Sequence, residues 1–487
     1  MVDGGPVLRR GSVVAACVVL VVAGQLGGPH GASAGQRDAR CADSGQPAAY
    51  VVLFERGTPA SAASAELGAA CGRTTSYYPE IAVGVATARD PAFAERLGPG
   101  RAFSAQAERR RAQRAGAAAP GGPPAARDLA SGTAVPAADR TAEQWNMRAI
   151  NADAARAVEP GSADVVVGVL DSGIDAGHPD LAGAVDPDRS AGCLSGAPDT
   201  SARAWAPTTS QHGTHVAGVI AAADDGRGVT GVAPGVRLAS VKVIDEHGFV
   251  DPVAAVCGLM WAARHDVTVA NSSFFVDPRA LWCAPADGER VVHEAIARAV
   301  EHADSAGTLN VAAATNDAVN LTPSPRSGGS AAADRGEGTC EALPAGLEEA
   351  VAVSAVDSGR TKAGYSSYGL GVVDVTAPGG AGGDCVLSTV PGGYDSVCGT
   401  SMAAPHVSGV AALLASTQPS YSPRQLRAAL GEQADPIPCP TDYDLGGDGA
   451  QDAYCAGYTA YNGFYGHGLV DALAAVGGTP AEDRGAR

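Results

Sequence analysis

Positive charge is scarce in this sequence: 34 Lys and Arg face 52 Asp and Glu, a formal net charge of −18 over 487 residues. A nucleic-acid partner needs a basic stripe to meet the phosphates, and this balance argues against one. Long apolar runs are missing too. Beyond the N-terminal leader no segment approaches the roughly 20 apolar residues that span a bilayer, so no stable membrane anchor is expected. None of the 11 cysteines forms a C-x-x-C pair, which sets metal binding by cysteine behind disulfide formation. No internal repeat is visible.

What is present is a large apolar fraction, 45%, with 64 glycines. That supports a big, loop-rich core, divided among more than one domain at about 100–200 residues each. The first 34 residues read as an export signal. Arg9 and Arg10 form a basic start, Ser12 to Leu26 an apolar stretch broken by Gly24 and Gln25, and Ala32-Ser33-Ala34 a small-residue cleavage site. Acidity suits solubility outside a cell, so the chain is expected to be secreted and extracellular.

Ala48 to Arg56 reads as a strand, Ser61 to Leu67 as a short helix, Tyr77 to Ala86 as a second strand and Pro91 to Leu97 as a second helix. They make a small α+β unit, 47–110. The charged run Arg109 to Arg114 reads as a solvated helix end. From 111 to 144 the chain turns rich in Ala, Pro and Gly with little to pack, which marks a linker. The main domain, 145–477, opens near Gln144-Trp145-Asn146. Apolar runs at Val165–Leu170, Leu238–Ile244, Val267–Asn271, Leu309–Ala314, Ala350–Ala355 and Val372–Thr376 read as strands. Helical stretches at His212–Ala223, Val253–Arg264, Glu289–Ala306 and Gly466–Val476 alternate with them. Short apolar runs mark strands covered on both faces, and the alternation implies parallel strands with crossovers. The expected fold class is α/β, a mostly parallel doubly wound sheet flanked by helices and preceded by the small α+β unit. The tail 478–487 reads as unstructured.

Three stretches carry chemistry. Gly399-Thr400-Ser401-Met402-Ala403-Ala404-Pro405-His406 precedes the small-residue run Val407 to Leu414. It reads as a loop delivering Ser401 to the first turn of a buried helix. Gly399 lets the backbone turn where a side chain would clash. Pro405 is tolerated in a first turn, whose amides lack helical partners. Those amides and the positive end of the helix dipole favour negative charge beside the Ser401 hydroxyl, as acyl transfer requires. Asp171 follows the strand Val165–Leu170 in Asp171-Ser172-Gly173-Ile174-Asp175, and open parallel sheets carry their sites at strand carboxyl ends. His212 opens the small-residue helix His212-Gly213-Thr214-His215-Val216-Ala217-Gly218. Singly these have plainer readings: a helix cap, an aspartate opening a turn, a capping histidine. Together they compose a nucleophile, a general base and an orienting carboxylate. A neutral imidazole, ordinary pKa about 6.5, takes the serine proton while the carboxylate fixes its tautomer.

In these stretches, in the order Asp, His, Ser, residues 145–477 resemble the subtilisin-like serine peptidases. The resemblance implies a serine endopeptidase that takes polypeptide substrates through an acyl-enzyme, with no cofactor required for the chemistry. Asp171 is implied as orienter, His212 as base and Ser401 as nucleophile. The family holds the tetrahedral oxygen with the N–H of its serine and an Asn amide just after a strand. In Val311-Ala312-Ala313-Ala314-Thr315-Asn316 that Asn is Asn316, a turn-forming Asn being the plainer reading. Thr315 stands where the family usually has Gly, which implies an altered floor to the first specificity pocket. Asn271-Ser272-Ser273-Phe274-Phe275 resembles the strand that pairs with extended substrate. Ser273, Phe274 and Thr315 are therefore the candidate substrate-binding residues. Phe275 stands where the family has glycine, and both phenylalanines read equally well as core.

The family coordinates calcium near the positions of Asp180 and Asp225, the latter in the loop Ala222–Val229. A solvated acidic turn is the other reading, and no metal is assigned. His178, His215 and His406 read as structural. The unit 47–110 resembles the family's inhibitory propeptide in its strand–helix–strand–helix order, a removable template for a slow-folding parallel sheet. Self-cleavage is expected between Arg111 and Trp145, with the propeptide an intramolecular inhibitor and the enzyme a monomer. With Cys17 in the signal and Cys41 and Cys71 in the removed segment, eight cysteines remain. Cys385–Cys398, Cys439–Cys455 and Cys283–Cys340 are the expected disulfides, because each pair closes a loop between predicted elements. Two other functions stay open: a dedicated maturation peptidase acting on one partner's leader, and an inactive fold used for binding.

Overall fold

A computed structural model of the chain describes residues 41, 45–114, 138–283, 287–322 and 340–477. The expected signal segment 1–34, most of the linker 111–144 and the tail 478–487 lie outside these residues.

Residues 45–114 run β1 (Ala48–Leu53), α1 (Ala60–Ala69), β2 (Gly72–Tyr78), β3 (Val83–Ala88), α2 (Phe93–Leu97), β4 (Ala102–Phe103) and α3 (Ala105–Arg114). The strands form an antiparallel sheet in the order β2-β3-β1-β4. The single strand expected from Tyr77 to Ala86 is in fact a hairpin. Pro79 has no N–H for a central ladder, and Ala82 turns the chain at φ +51°. Strand residues point alternately to two faces. Tyr50, Val52 and Phe54 pack under the helices against Leu67, Phe93 and Leu97.

The main domain begins with α4 (Trp145–Ala149) and α5 (Ala152–Arg156). Then follow β5 (Val166–Asp171), β6 (Ala191–Gly192), α6 (Ala202–Trp205), α7 (His212–Ala221), β7 (Arg237–Lys242), α8 (Pro252–Arg264) and β8 (Val269–Ser272). Next come β9 (Trp282–Cys283), α9 (Asp287–Ser305), β10 (Leu309–Ala313), β11 (Cys340–Glu341), β12 (Ala350–Val356) and β13 (Val375–Pro378). The hairpin β14 (Val386–Val390) and β15 (Gly393–Val397) leads to α10 (Thr400–Thr417) and α11 (Pro423–Glu432). Seven strands form one sheet, ordered β13-β12-β10-β8-β5-β7-β6, with every pairing parallel. Val167 and Val169 face one core with residues of α7 and α10. Val166 and Leu170 face the other with α8 and α9. Burial on both faces is why the strands read as unbroken apolar runs.

The final helix is shorter than expected. Gly466 at φ +56° and Gly468 at φ +135° are not helical. Leu469 instead exchanges backbone hydrogen bonds with Asp435, so the helix is confined to Ala472–Gly477. The three expected disulfides form, and Cys193 pairs with Cys257. Cys385–Cys398 ties the two ends of the β14–β15 hairpin, an element not expected from the sequence.

The N-terminal unit lays the other face of its sheet on the main domain. Val51, Leu53, Val83 and Val85 share the core of α8 and α9. Arg298 donates to Phe54 O and Ile81 O, both at 3.1 Å, and Tyr78 donates to Gly196 O at 2.9 Å.

The chain's two lysines, Lys242 and Lys362, are both buried. Lys242 Nζ donates to Ala206 O and Thr208 Oγ1. Lys362 Nζ donates to Ala363 O and Ser366 O and lies 5.1–5.3 Å from the ring centres of Tyr368, Tyr443 and Phe464. Burial lowers the pKa of both, that of Lys362 to about 8. No helix among the described residues is long and apolar enough to cross a membrane.

Candidate active site

Three neighbouring strands, β5, β8 and β10, end on one edge of the sheet. Adjacent strands lie about 4.8 Å apart, so residues just past their ends become close neighbours. Asp171 is the last residue of β5 and is fully buried. His212 is the first residue of α7, and its Nδ1 lies 2.8 and 2.9 Å from the two Asp171 carboxylate oxygens. An ionised carboxylate only accepts, so Nδ1 carries the hydrogen, and in the neutral ring Nε2 keeps a free lone pair. Gly213 permits this approach: a Cβ there would lie 2.5 Å from Gly173 O and 3.1 Å from Asp171 Oδ1. Its N–H donates to Ser172 Oγ at 3.0 Å. Burial opposes charging His212, but the Asp171 charge and hydrogen bond outweigh it and hold the imidazole pKa above its ordinary value.

Ser401 is the second residue of α10. Pro405 is not in the first turn, as expected from sequence, but in the second. There it has no N–H to offer the carbonyl four residues back, which is that of Ser401. Ser273 Oγ donates to that freed carbonyl at 2.8 Å. Asn271 Nδ2 donates to Ser273 Oγ at 2.9 Å, and Ser408 Oγ to Asn271 Oδ1 at 2.9 Å. This relay fastens the end of β8 to the helix that bears Ser401. The Ser273 side chain is thus committed to positioning Ser401, leaving its backbone for any substrate contact. The signal was legible, since a proline four residues after a helical serine predicts an orphaned carbonyl.

Ser401 Oγ donates to Met402 Sδ at 3.6 Å, and no hydrogen bond among the described residues joins it to His212. Acid and imidazole are in contact here, while the hydroxyl is turned aside.

Asn316 lies three residues past the end of β10. Its Oδ1 accepts from Thr400 N–H and Thr400 Oγ1, both at 2.8 Å. A backbone N–H can only donate, so the oxygen must face Thr400 and Nδ2 must face away. A Cβ built on Gly399 would lie 2.9 Å from Ser401 Oγ and 3.4 Å from Asn316 Nδ2. Hydroxyl and amide therefore border one small space, which only a residue without a side chain leaves open. Thr315 adopts φ +75° and donates to or accepts from Ser367 Oγ at 2.8 Å. Positive φ is unusual for a β-branched residue, which explains why glycine would suit the position.

Phe274 is buried in the α8–α9 core, whereas Phe275 is half-buried. The remaining motif histidines bridge elements. His215 Nε2 donates to Val386 O at 3.0 Å, and His406 Nδ1 donates to Met402 O at 2.7 Å while its Nε2 accepts from Asn146 Nδ2 at 2.8 Å. Burial pushes each down to a pKa of about 4. His178 Nε2 donates to Gly393 O, and its Nδ1 accepts from Asp180 N–H. The Asp180 carboxylate accepts from Val229 N–H at 3.1 Å and Tyr394 O–H at 3.0 Å, and Asp225 from Arg227 N–H. Calcium needs six to eight oxygens with lone pairs turned inward. Each carboxylate thus already accepts a hydrogen bond from the protein while keeping further lone pairs, and no metal is assigned.

Comparison with known proteins bears on this geometry. Residues 162–468 match the model of the subtilase family, peptidase family S8. Subtilisin DY of Bacillus licheniformis is 36% identical over 286 residues, 58% of this chain and 89% of its own. The crystal structure of an epidermin leader peptide processing serine protease from Staphylococcus aureus has a TM-score of 0.63 at 19% identity, covering 88% of this chain and 98% of that one. A lanthipeptide protease has a TM-score of 0.53 at 25% identity, covering 70% and 98% respectively. With over half its length matched and Asp171, His212 and Ser401 standing in the three motifs, the chain belongs to the subtilisin-like serine peptidases and is a serine-type endopeptidase.

Proposed function

We propose that the chain is a secreted endopeptidase that cleaves peptide bonds through Asp171, His212 and Ser401, and that it is made as a self-processing precursor. The observation that carries this is the Asp171–His212 pair, which leaves Nε2 as the free base at the strand edge over which Ser401 is fastened. Rotation about the Ser401 Cα–Cβ bond turns Oγ from Met402 toward that base, and catalytic hydrogen bonds often tighten only when substrate binds. His212 takes the hydroxyl proton as Oγ attacks the scissile carbonyl. The developing oxyanion is held by Ser401 N–H and Asn316 Nδ2. His212 then protonates the leaving amine, and water releases the acyl group by the same route.

Residues 47–110 are the removable inhibitor in this proposal, supported by their sheet lying on α8 and α9. Export is supported by the basic, apolar and Ala32-Ser33-Ala34 leader. The test is to express the Ser401→Ala chain beside the wild type. Wild-type protein should mature and take a fluorophosphonate label, and the variant should do neither. Maturation of the variant at the same N-terminus without added protease would refute self-cleavage.

A dedicated maturation peptidase is the second reading. It is favoured by Thr315 and Phe275, both larger than the glycine expected at their positions, and by the leader-processing role named for one structural neighbour. Digestion of a peptide library by the purified enzyme separates the two, since a dedicated enzyme cuts few members.

A further inference from the structure

The loop after β7 and the segment after β8 leave the edge that carries Asp171 and Ser401. They are stitched together: Val250 N–H donates to Asp277 Oδ2 at 2.6 Å, and Asp277 N–H donates to Val250 O at 2.9 Å. The Asp245 charge adds to the rise of both Asp251 and Asp277 across this seam, and the Asp251 charge adds to that of Asp277. Over it lies α3 of the N-terminal unit. The Arg109 guanidinium carbon stands 4.8 Å above the centre of the Phe249 ring, and Arg109 Nη2 lies 3.8 Å from Asp251 Oδ2. The fit is incomplete, because Arg109 Nη1 and Asp251 Oδ2 are buried without a hydrogen-bond partner among the described residues. Beside it, Glu108 of α3 pairs with Arg279, so that cation is already matched. Burial raises Asp251 to about 6 and Asp277 to about 7, with Arg109 drawing both back down.

An aromatic face edged by carboxylates is complementary to a guanidinium, which stacks and pairs at once. Here the occupant belongs to the removable unit and meets the cage imperfectly. We propose that Phe249, Asp251 and Asp277 form a subsite for an arginine side chain of the substrate, and that Arg109 stands in for it in the precursor. This rests on the reading that residues 47–110, Arg109 among them, leave the mature enzyme. Asp277 lies four residues beyond Ser273, whose hydroxyl touches the Ser401 carbonyl. Four residues span at most about 14 Å, so the arginine falls within about four residues of the cleaved bond.

The test uses the full chain, allowed to mature, with active enzyme counted by fluorophosphonate labelling. Matched peptides carry arginine, or its neutral isostere citrulline, at successive positions around the bond. Wild type should favour arginine at least about tenfold in kcat/KM at one position, a preference that shrinks as salt rises. Asp251→Asn/Asp277→Asn should bring the ratio close to one. If that pair does not fold, Asp251→Asn alone serves, because its amide can still accept the Val253 N–H that Asp251 Oδ1 now accepts. Labelled wild type that treats arginine and citrulline alike at every position would overturn the subsite while leaving the peptidase intact. So would a labelled variant that keeps the full preference. Wild type that takes no label would overturn both readings.

Discussion

Thr400 makes no hydrogen bond among the described residues to His212 or to Ser401 Oγ, yet in the proposed mechanism it should tune the rate through Asn316. Its N–H and its hydroxyl both point at Asn316 Oδ1, and together they aim Nδ2 at the space beside Ser401 Oγ. Removing one oxyanion donor in an acyl-transfer enzyme costs about 10²–10³ in kcat, so Asn316→Ala should lose that much with KM little changed. The loss belongs in kcat because the donor meets full charge only in the transition state. Thr400→Val removes one of the two aiming bonds and leaves the backbone one. A net hydrogen bond is worth about 0.5–1.5 kcal/mol, so kcat should fall roughly 2- to 13-fold. The decisive measurement is the double variant in a peptide-anilide assay. If Thr400 acts through Asn316, Thr400→Val should cost almost nothing in the Asn316→Ala background. An equal loss in both backgrounds, or a loss confined to KM, would refute the reasoning.

Other outcomes follow from the same geometry. Ser273→Ala strands the Ser401 carbonyl, so unfolding free energy should fall by about 1–3 kcal/mol in urea titration and kcat should fall with it. Because only neutral His212 accepts a proton, kcat/KM should drop as pH falls through a midpoint above 6.5. Asp171→Asn removes the charge that raises that midpoint, and a pH–rate profile should show it moving to lower pH as the rate falls. Thr315→Gly relieves a positive φ worth about 1–3 kcal/mol but gives up one hydrogen bond worth about 1 kcal/mol and adds backbone freedom. Its Tm should therefore change little, while peptides with a bulky residue at the cleaved bond gain more in kcat/KM than alanine peptides.

The parallel sheet was legible because β5, β8, β10 and β12 are buried on both faces, and burial on both faces writes an unbroken apolar run into the chain. The candidate site residues Asp171, His212, Ser401 and Asn316 stand out in the sequence because each sits in a local motif at the end of such an element. The β2–β3 hairpin was lost because Tyr77 to Ala86 is apolar enough to read as one strand, and only Pro79 marked the break. Gly466 and Gly468 likewise held the evidence against a long final helix. Long-range polar pairings were a different matter. The Ser408–Asn271–Ser273–Ser401 relay and the seat of Arg109 on Phe249 join residues more than 120 positions apart, and no local propensity encodes such meetings.

The enclosure of Lys242 and Lys362 has a practical corollary. The folded surface presents no lysine amine, so acylating reagents, aldehyde fixatives and amine-coupled resins find no lysine handle until the chain opens. Uptake of such a reagent at lysine is consequently a clock for unfolding, read without any change to the sequence.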